Sequence, residues 1–199
     1  QTGRMCGRAD MVAEAHYQFL THLRFLADPA TGLFFHGWTF EGRHNFARAR
    51  WARGNAWVAI AIPELFAIAP PADPALARYL RAVMCSQMAA AARLQRPDGM
   101  IHTLLDDPSG PVEASATAGF GYAALAGLRE GLLPDSARVI ADRAKTAVLT
   151  RIGPDGILAD VSDGTPMGDT LAFYNALPNV AAPYGQALAI LFLSQLKRS

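Results

Sequence analysis

The stretch RPDGMIHTLL, Arg96 to Leu105, interrupts a helix-like pattern with Pro, Asp and Gly and then resumes with apolar residues. Proline cannot continue the helical hydrogen-bond ladder and glycine accepts positive φ at little cost, so this passage predicts a helix end and a tight turn. Two other passages share its form: DPATGLFFH from Asp28 and GPDGILADVS from Gly153. Their turn glycines, Gly32, Gly99 and Gly156, recur at a spacing of about 60 residues, which suits a repeated αα-hairpin with loop insertions.

Before each turn lies an amphipathic segment, over 8–27, 74–95 and 135–152, with one apolar and one charged face. These predict outer helices with one side in water. After each turn comes a polar and aromatic loop, then a segment rich in Ala and Gly, over 54–68, 114–130 and 184–197. Small residues allow close helix contact, so these predict an inner layer. The expected fold is all-α: three helical hairpins of an α/α toroid, with little strand. Residues 1–199 read either as one such domain or as the C-terminal half of a longer barrel.

Composition narrows the function. The 199 residues are 51% hydrophobic and 18% charged with a formal net charge of +1. No Lys/Arg run supplies the basic footprint of a nucleic-acid or anionic-membrane binder, and no apolar run approaches a membrane span of about 20 residues. Cys6 and Cys85 lack CxxC spacing. They are expected to be free, buried thiols in a reducing compartment, with the cytoplasm as the location. No HExxH, phosphate loop or GxSxG elbow is present, so neither a metal nor covalent serine chemistry is expected.

Polar and aromatic residues without a packing role gather in the loops, among them Trp38, His102, Tyr174, Asn175 and Tyr184. The segment WARGNAW, Trp51 to Trp57, is the most pointed. Arg53 stands where a helix N-terminus already favours an anion, and its guanidinium could grip a carboxylate with two parallel bonds. Trp51 and Trp57 could wall a sugar ring while Asn55 reads a hydroxyl. The competing reading is that the tryptophans brace a loop and Arg53 pairs a structural Asp. His36, in FFHGW, is either a proton donor or acceptor facing the same helix mouth or a loop anchor. His44 and His102 are weaker candidates, and His16 and His22 belong to an outer helix. Asp106, Asp107 and Glu113 read as structural rather than as a glycosidase pair, with Ser115 as the expected helix cap.

Four blocks together, TGLFFHGW, WARGNAWVAIAIPEL, LLDDPSGPVEASATAGFGYAALAGLREGLL and YNALPNVAAPYGQALAILFL, resemble the unsaturated rhamnogalacturonyl hydrolases of glycoside hydrolase family 105. These enzymes are related to the unsaturated glucuronyl hydrolases. The resemblance implies an (α/α)6 barrel and removal of a 4,5-unsaturated uronic acid from pectin fragments left by lyases, with no cofactor. It implies that Trp51, Arg53 and Trp57 contact the uronate and that His36 lines the pocket. Thr39 stands where the family usually has Asp. The family's catalytic Asp belongs to a helix before a segment like Gln1 to Arg8, so it is expected to precede Gln1 and this chain resembles the C-terminal half. An alternative is a carbohydrate-binding or assembly module built from the half barrel, with a homodimer covering its open inner helices.

Overall fold

The computed structural model describes residues 1–197 and is mostly helical. After α1 (Thr2–Met5) and α2 (Ala9–Leu26), a short antiparallel pair, β1 (Ala27–Asp28) and β2 (Leu33–Phe34), brackets the first turn. Then come α3 (Ala52–Ile68), α4 (Pro74–Leu94), α5 (Ala114–Arg129) and α6 (Arg138–Leu149). The remainder holds β3 (Val161–Ser162), α7 (Leu171–Asn175), β4 (Asn179–Val180), which pairs with β3, and α8 (Pro183–Leu196).

The helix boundaries follow local chemistry. α4 starts where Asp73 accepts a bond from the Ala75 N–H at 2.8 Å and Pro74 occupies the first turn, whose N–H groups have no helical partner. α5 starts at Glu113, whose carboxylate accepts from the Ala116 N–H. The expected cap, Ser115, instead lies inside the first turn and bonds to Glu113. The three turn glycines share one conformation, with φ of 79°, 84° and 79° at Gly32, Gly99 and Gly156. A side chain at Gly32 would run into Ser86 of α4, and one at Gly99 into the Arg143 carbonyl of α6. Among the described residues nothing crowds Gly156.

α5 is the centre of the molecule. It packs between α3 and α8, with α6 also against it, and its residues from Ala114 to Gly127 are all buried. Glycine costs a helix about 1 kcal/mol relative to alanine, and α5 tolerates three because they admit neighbours. A Cβ at Gly119 would sit 2.9 Å from Ala56 Cβ of α3, and one at Gly121 would sit 2.6 Å from the Phe192 ring of α8. α4 is tied to the inner layer by a buried bond from Gln87 Nε2 to the Asn55 carbonyl, 2.9 Å.

α3 and α8 are apolar on more than the side facing α5. On α8, Leu188 and Phe192 are buried while Ile190 is 67% exposed. On α3, Trp57 is 45% exposed and borders a groove of about 410 Å³ shared with α2. No helix among the described residues is long and apolar enough to cross a membrane. Both cysteines are free, but Cys6 is exposed and Cys85 half-buried. The short α1 has too little chain around it to bury Cys6, which corrects the expectation from sequence.

The close contact at Gly121 yields a test. Phe192 is fully buried and has no room to retreat, so Gly121→Ala is expected to destabilise the fold by about 1–3 kcal/mol. Urea denaturation measures it, and an unchanged midpoint would contradict this packing.

Candidate functional site

The N-terminal ends of α3, α5 and α8 converge. Each helix places its second residue after the cap in the same space: Arg53 on α3, Ser115 on α5 and Tyr184 on α8. Arg53 Cζ lies 4.3 Å from the Tyr184 ring centre, and its Nη1 is 3.4 Å from Ser115 Oγ. The helix ends add partial positive charge to this region.

Arg53 is 3% exposed, and its guanidinium is held from several directions. Nη1 donates to Glu113 Oε1 at 3.1 Å and to the Ser162 carbonyl at 2.8 Å, while Nη2 donates to the Asp163 carbonyl at 2.9 Å. Glu113, fully buried, also accepts from Ser115 Oγ at 2.8 Å and from the Ser162 N–H at 3.1 Å. Both terminal nitrogens of the guanidinium are thus engaged by groups of the protein itself. Its partner is a structural carboxylate, as the competing reading held, though a Glu on the next inner helix rather than an Asp.

Trp51 is also committed. It is 7% exposed and covered by the His36 ring, 4.3 Å between centres, with Arg53 Cζ 4.6 Å from its own ring centre. Its indole N–H has no hydrogen-bond partner among the described residues. The Asn55 amide bonds the Phe34 N–H and carbonyl, each at 2.8 Å, and the Trp51 carbonyl at 3.0 Å. It braces the FFHGW loop on α3 and has no amide hydrogen left to read a hydroxyl.

Trp57 is exposed and His36 is half-buried. The His36 ring lies over Gly54, 3.7 Å from where a Cβ there would be, so glycine leaves the space it occupies. Trp57 follows Gly54 by three residues, which places it on the same face of α3 one turn down. Trp57 lines the groove with Phe19, His22, Leu26, Phe34 and Ala61. Behind His36, its Nδ1 is 2.9 Å from Tyr174 Oη. Burial, reinforced by the Arg53 charge, lowers the His36 pKa from the ordinary 6.5 to about 4.

The other candidates have structural posts. His102 is buried, with Nδ1 2.7 Å from the Gly110 carbonyl. His44 Nδ1 accepts from the Phe46 N–H, and Thr39 Oγ1 accepts from the Glu41 N–H. His16 contacts the Ala69 carbonyl, and His22 the Gln18 carbonyl of its own helix. Asp106 pairs with Arg50, and Asp107 holds Ser109 and Asn175. Gln1, the position before which the resemblance puts the family's Asp, is exposed at the start of α1. It borders a groove with Phe19 and Ala61 instead of the helix mouth, and its amide makes no cap bond, so Gln1 itself has no part in the site. Among the described residues no group of three or more His, Cys, Asp or Glu side chains is placed to hold a metal ion. Sequence reading gave Tyr174 and Tyr184 no specific role. Aligning the three inner helices by their caps would have put Tyr184 beside Arg53, whereas nothing local signals the Tyr174–His36 pair.

Comparison with known proteins identifies the family and the fold. The model of the family described as Glycosyl Hydrolase Family 88 matches residues 1–199. The unsaturated rhamnogalacturonyl hydrolase YesR of Bacillus subtilis (strain 168) is 28% identical over 198 residues, covering 99% of this chain and 56% of that protein. Two solved structures are each described as a possible member of the GH105 family. That from Klebsiella pneumoniae subsp. pneumoniae MGH 78578 is 47% identical with a TM-score of 0.96, over 98% of this chain and 52% of its own. That from Salmonella enterica subsp. enterica serovar Paratyphi A str. ATCC 9150 is 45% identical with a TM-score of 0.97, over 99% and 52%. The chain spans about half the length of these relatives.

The buried pair and His36 each make a measurable claim. Glu113→Ala leaves the guanidinium without its counter-charge in the interior and is expected to cost about 3–5 kcal/mol in denaturant unfolding. For His36, the folded pKa lies below the unfolded one, so its contribution to stability is complete above pH 6.5 and is lost as pH falls toward about 4. Melting temperatures over that interval should fall less in His36→Gln than in the unaltered protein. Parallel curves would show that the ring is not held neutral.

Proposed function

This chain belongs to Glycosyl Hydrolase Family 88, and on that basis we propose that it supplies the sugar-binding half of an enzyme removing a terminal 4,5-unsaturated uronic acid from lyase-generated oligosaccharides. The rhamnogalacturonan class is the preferred substrate, by the likeness to YesR. The observation that carries the reading is the convergence of three helix N-termini beside the half-buried His36, with Trp57 exposed one turn further along α3. The positive ends of the helices suit an anionic sugar. His36 supplies a polar contact and Trp57 a flat apolar wall, while Trp51 packs on the His36 ring and Asn55 braces its loop.

In this reading the reaction is hydration of the vinyl ether. A carboxylic acid, the family's Asp, protonates C4 of the C4=C5 double bond, and water adds at C5. The hemiketal that results collapses and releases the remaining sugar. The helices here form one half of an (α/α)6 barrel, whose other half covers the groove beside Trp57 and the exposed edge of α8. The structural likeness over about half of each solved relative supports this arrangement.

A second reading rests on the carboxylates. Glu113 is locked beneath the site, and Asp106 and Asp107 are tied to Arg50, Ser109 and Asn175. A segment with these acids engaged would bind the sugar without cleaving it, as a module or as a homodimer of half barrels.

One assay separates the readings. An unsaturated rhamnogalacturonan disaccharide is mixed with the protein, and the ultraviolet absorbance of its double bond is followed alongside calorimetric binding. Loss of absorbance supports the hydrolase, and binding with the absorbance retained supports the module. No binding sinks both. Trp57→Ala should weaken binding about 10-fold, equivalent to about 1.4 kcal/mol, with the fold intact because the indole is half exposed.

A further inference from the structure

Tyr174 lies on α7, far along the chain from His36, and is 1% exposed. Its hydroxyl oxygen accepts a bond from the Gly168 N–H at 3.0 Å and lies 2.9 Å from His36 Nδ1. A phenol has one hydrogen to donate and lone pairs to accept with. Gly168 can only donate, so the Tyr174 hydrogen needs an acceptor elsewhere. Among the described residues, His36 Nδ1 is the remaining polar atom bonded to that oxygen. If Nδ1 carried the proton, two hydrogens would point at one oxygen and the buried phenolic hydrogen would have no acceptor.

We propose that Tyr174 is a positioning residue that fixes His36 as the neutral tautomer with its proton on Nε2, so that the site offers the sugar a hydrogen-bond donor rather than a base. The proposal deepens the hydrolase reading and rests on it for the identity of the sugar. Charging the ring would require Nδ1 to take up a proton against the Tyr174 hydroxyl hydrogen. The groups around the ring also disfavour the charge: Arg53 of α3 is a cation, the Trp51 face is uncharged, and Tyr174 on α7 is a neutral phenol. The lowered pKa agrees with this arrangement. His36 then donates from Nε2 to a hydroxyl, ring or carboxylate oxygen of the uronate, and does so unchanged through mildly acidic pH. The proton that starts the reaction comes from another group.

The test reads the ring directly. Long-range nitrogen–proton correlation spectra of protein labelled at histidine nitrogens distinguish a bare from a protonated ring nitrogen. The expected result is a bare Nδ1 and a protonated Nε2 for His36, unchanged from pH 8 to pH 5. A protonated Nδ1, or a charged ring at pH 6, overturns the proposal whether or not the protein acts on any sugar. In Tyr174→Phe the tautomers should mix, and kcat/KM on the unsaturated disaccharide should fall about 10-fold with a changed acid limb of its pH profile. A tautomer unmoved by that substitution also overturns it. The expected spectrum together with no binding of the disaccharide supports the tautomer assignment and defeats the functional reading instead.

Discussion

A guanidinium removed from water must be paired and hydrogen-bonded on nearly every side, and that requirement at Arg53 organises this molecule. Its partners come from α5, from β3 and the loop after it, and from the first turn of α8, separated by 60 to 112 residues in the bonds it makes. Each must stand at one height for the charge to be accepted. The three inner helices are therefore aligned by their first turns, and the loops between them have one way to close. Glu113 serves two needs at once, capping α5 and neutralising Arg53. The surface around His36 inherits its geometry from this buried arrangement, with Trp51 and Asn55 passing it on to the loop that carries His36.

The division between what braces and what is exposed explains how far sequence reading could go. The helices were legible because their signals are local: Pro and Gly at the turns, alternating faces in the outer segments, Ala and Gly in the inner ones. Their bounds agree with the structure within a few residues, as in 74–95 against Pro74–Leu94 and 114–130 against Ala114–Arg129. The family was legible because four loop blocks keep their order. The individual site roles were less so. WARGNAW looks the same whether its arginine faces a ligand or a glutamate on the next inner helix, since the answer depends on residues 60 or more positions away. Ser115 is the better cap by residue type, yet Glu113 takes the post because Arg53 demands a carboxylate there.

The same logic separates two kinds of aromatic. Trp51 and Tyr174 are nearly inaccessible and contact the His36 ring, whereas Trp57 is open to the groove between α2 and α3. A site braced this way keeps its shape without a ligand to organise it, and under the proposed function that lowers the entropy lost on binding.

The turn glycines show unequal constraint within one repeated motif. All three adopt a backbone that favours glycine, but at Gly32 and Gly99 the following outer helix also lies where a side chain would go. Among the described residues nothing lies where a side chain at Gly156 would go, so only the backbone demand is visible there. At Gly32 and Gly99 a replacement must therefore meet two demands at once, the backbone conformation and the helix packed over it. The turn and the outer helix laid over it form one unit there, and neither can change without the other.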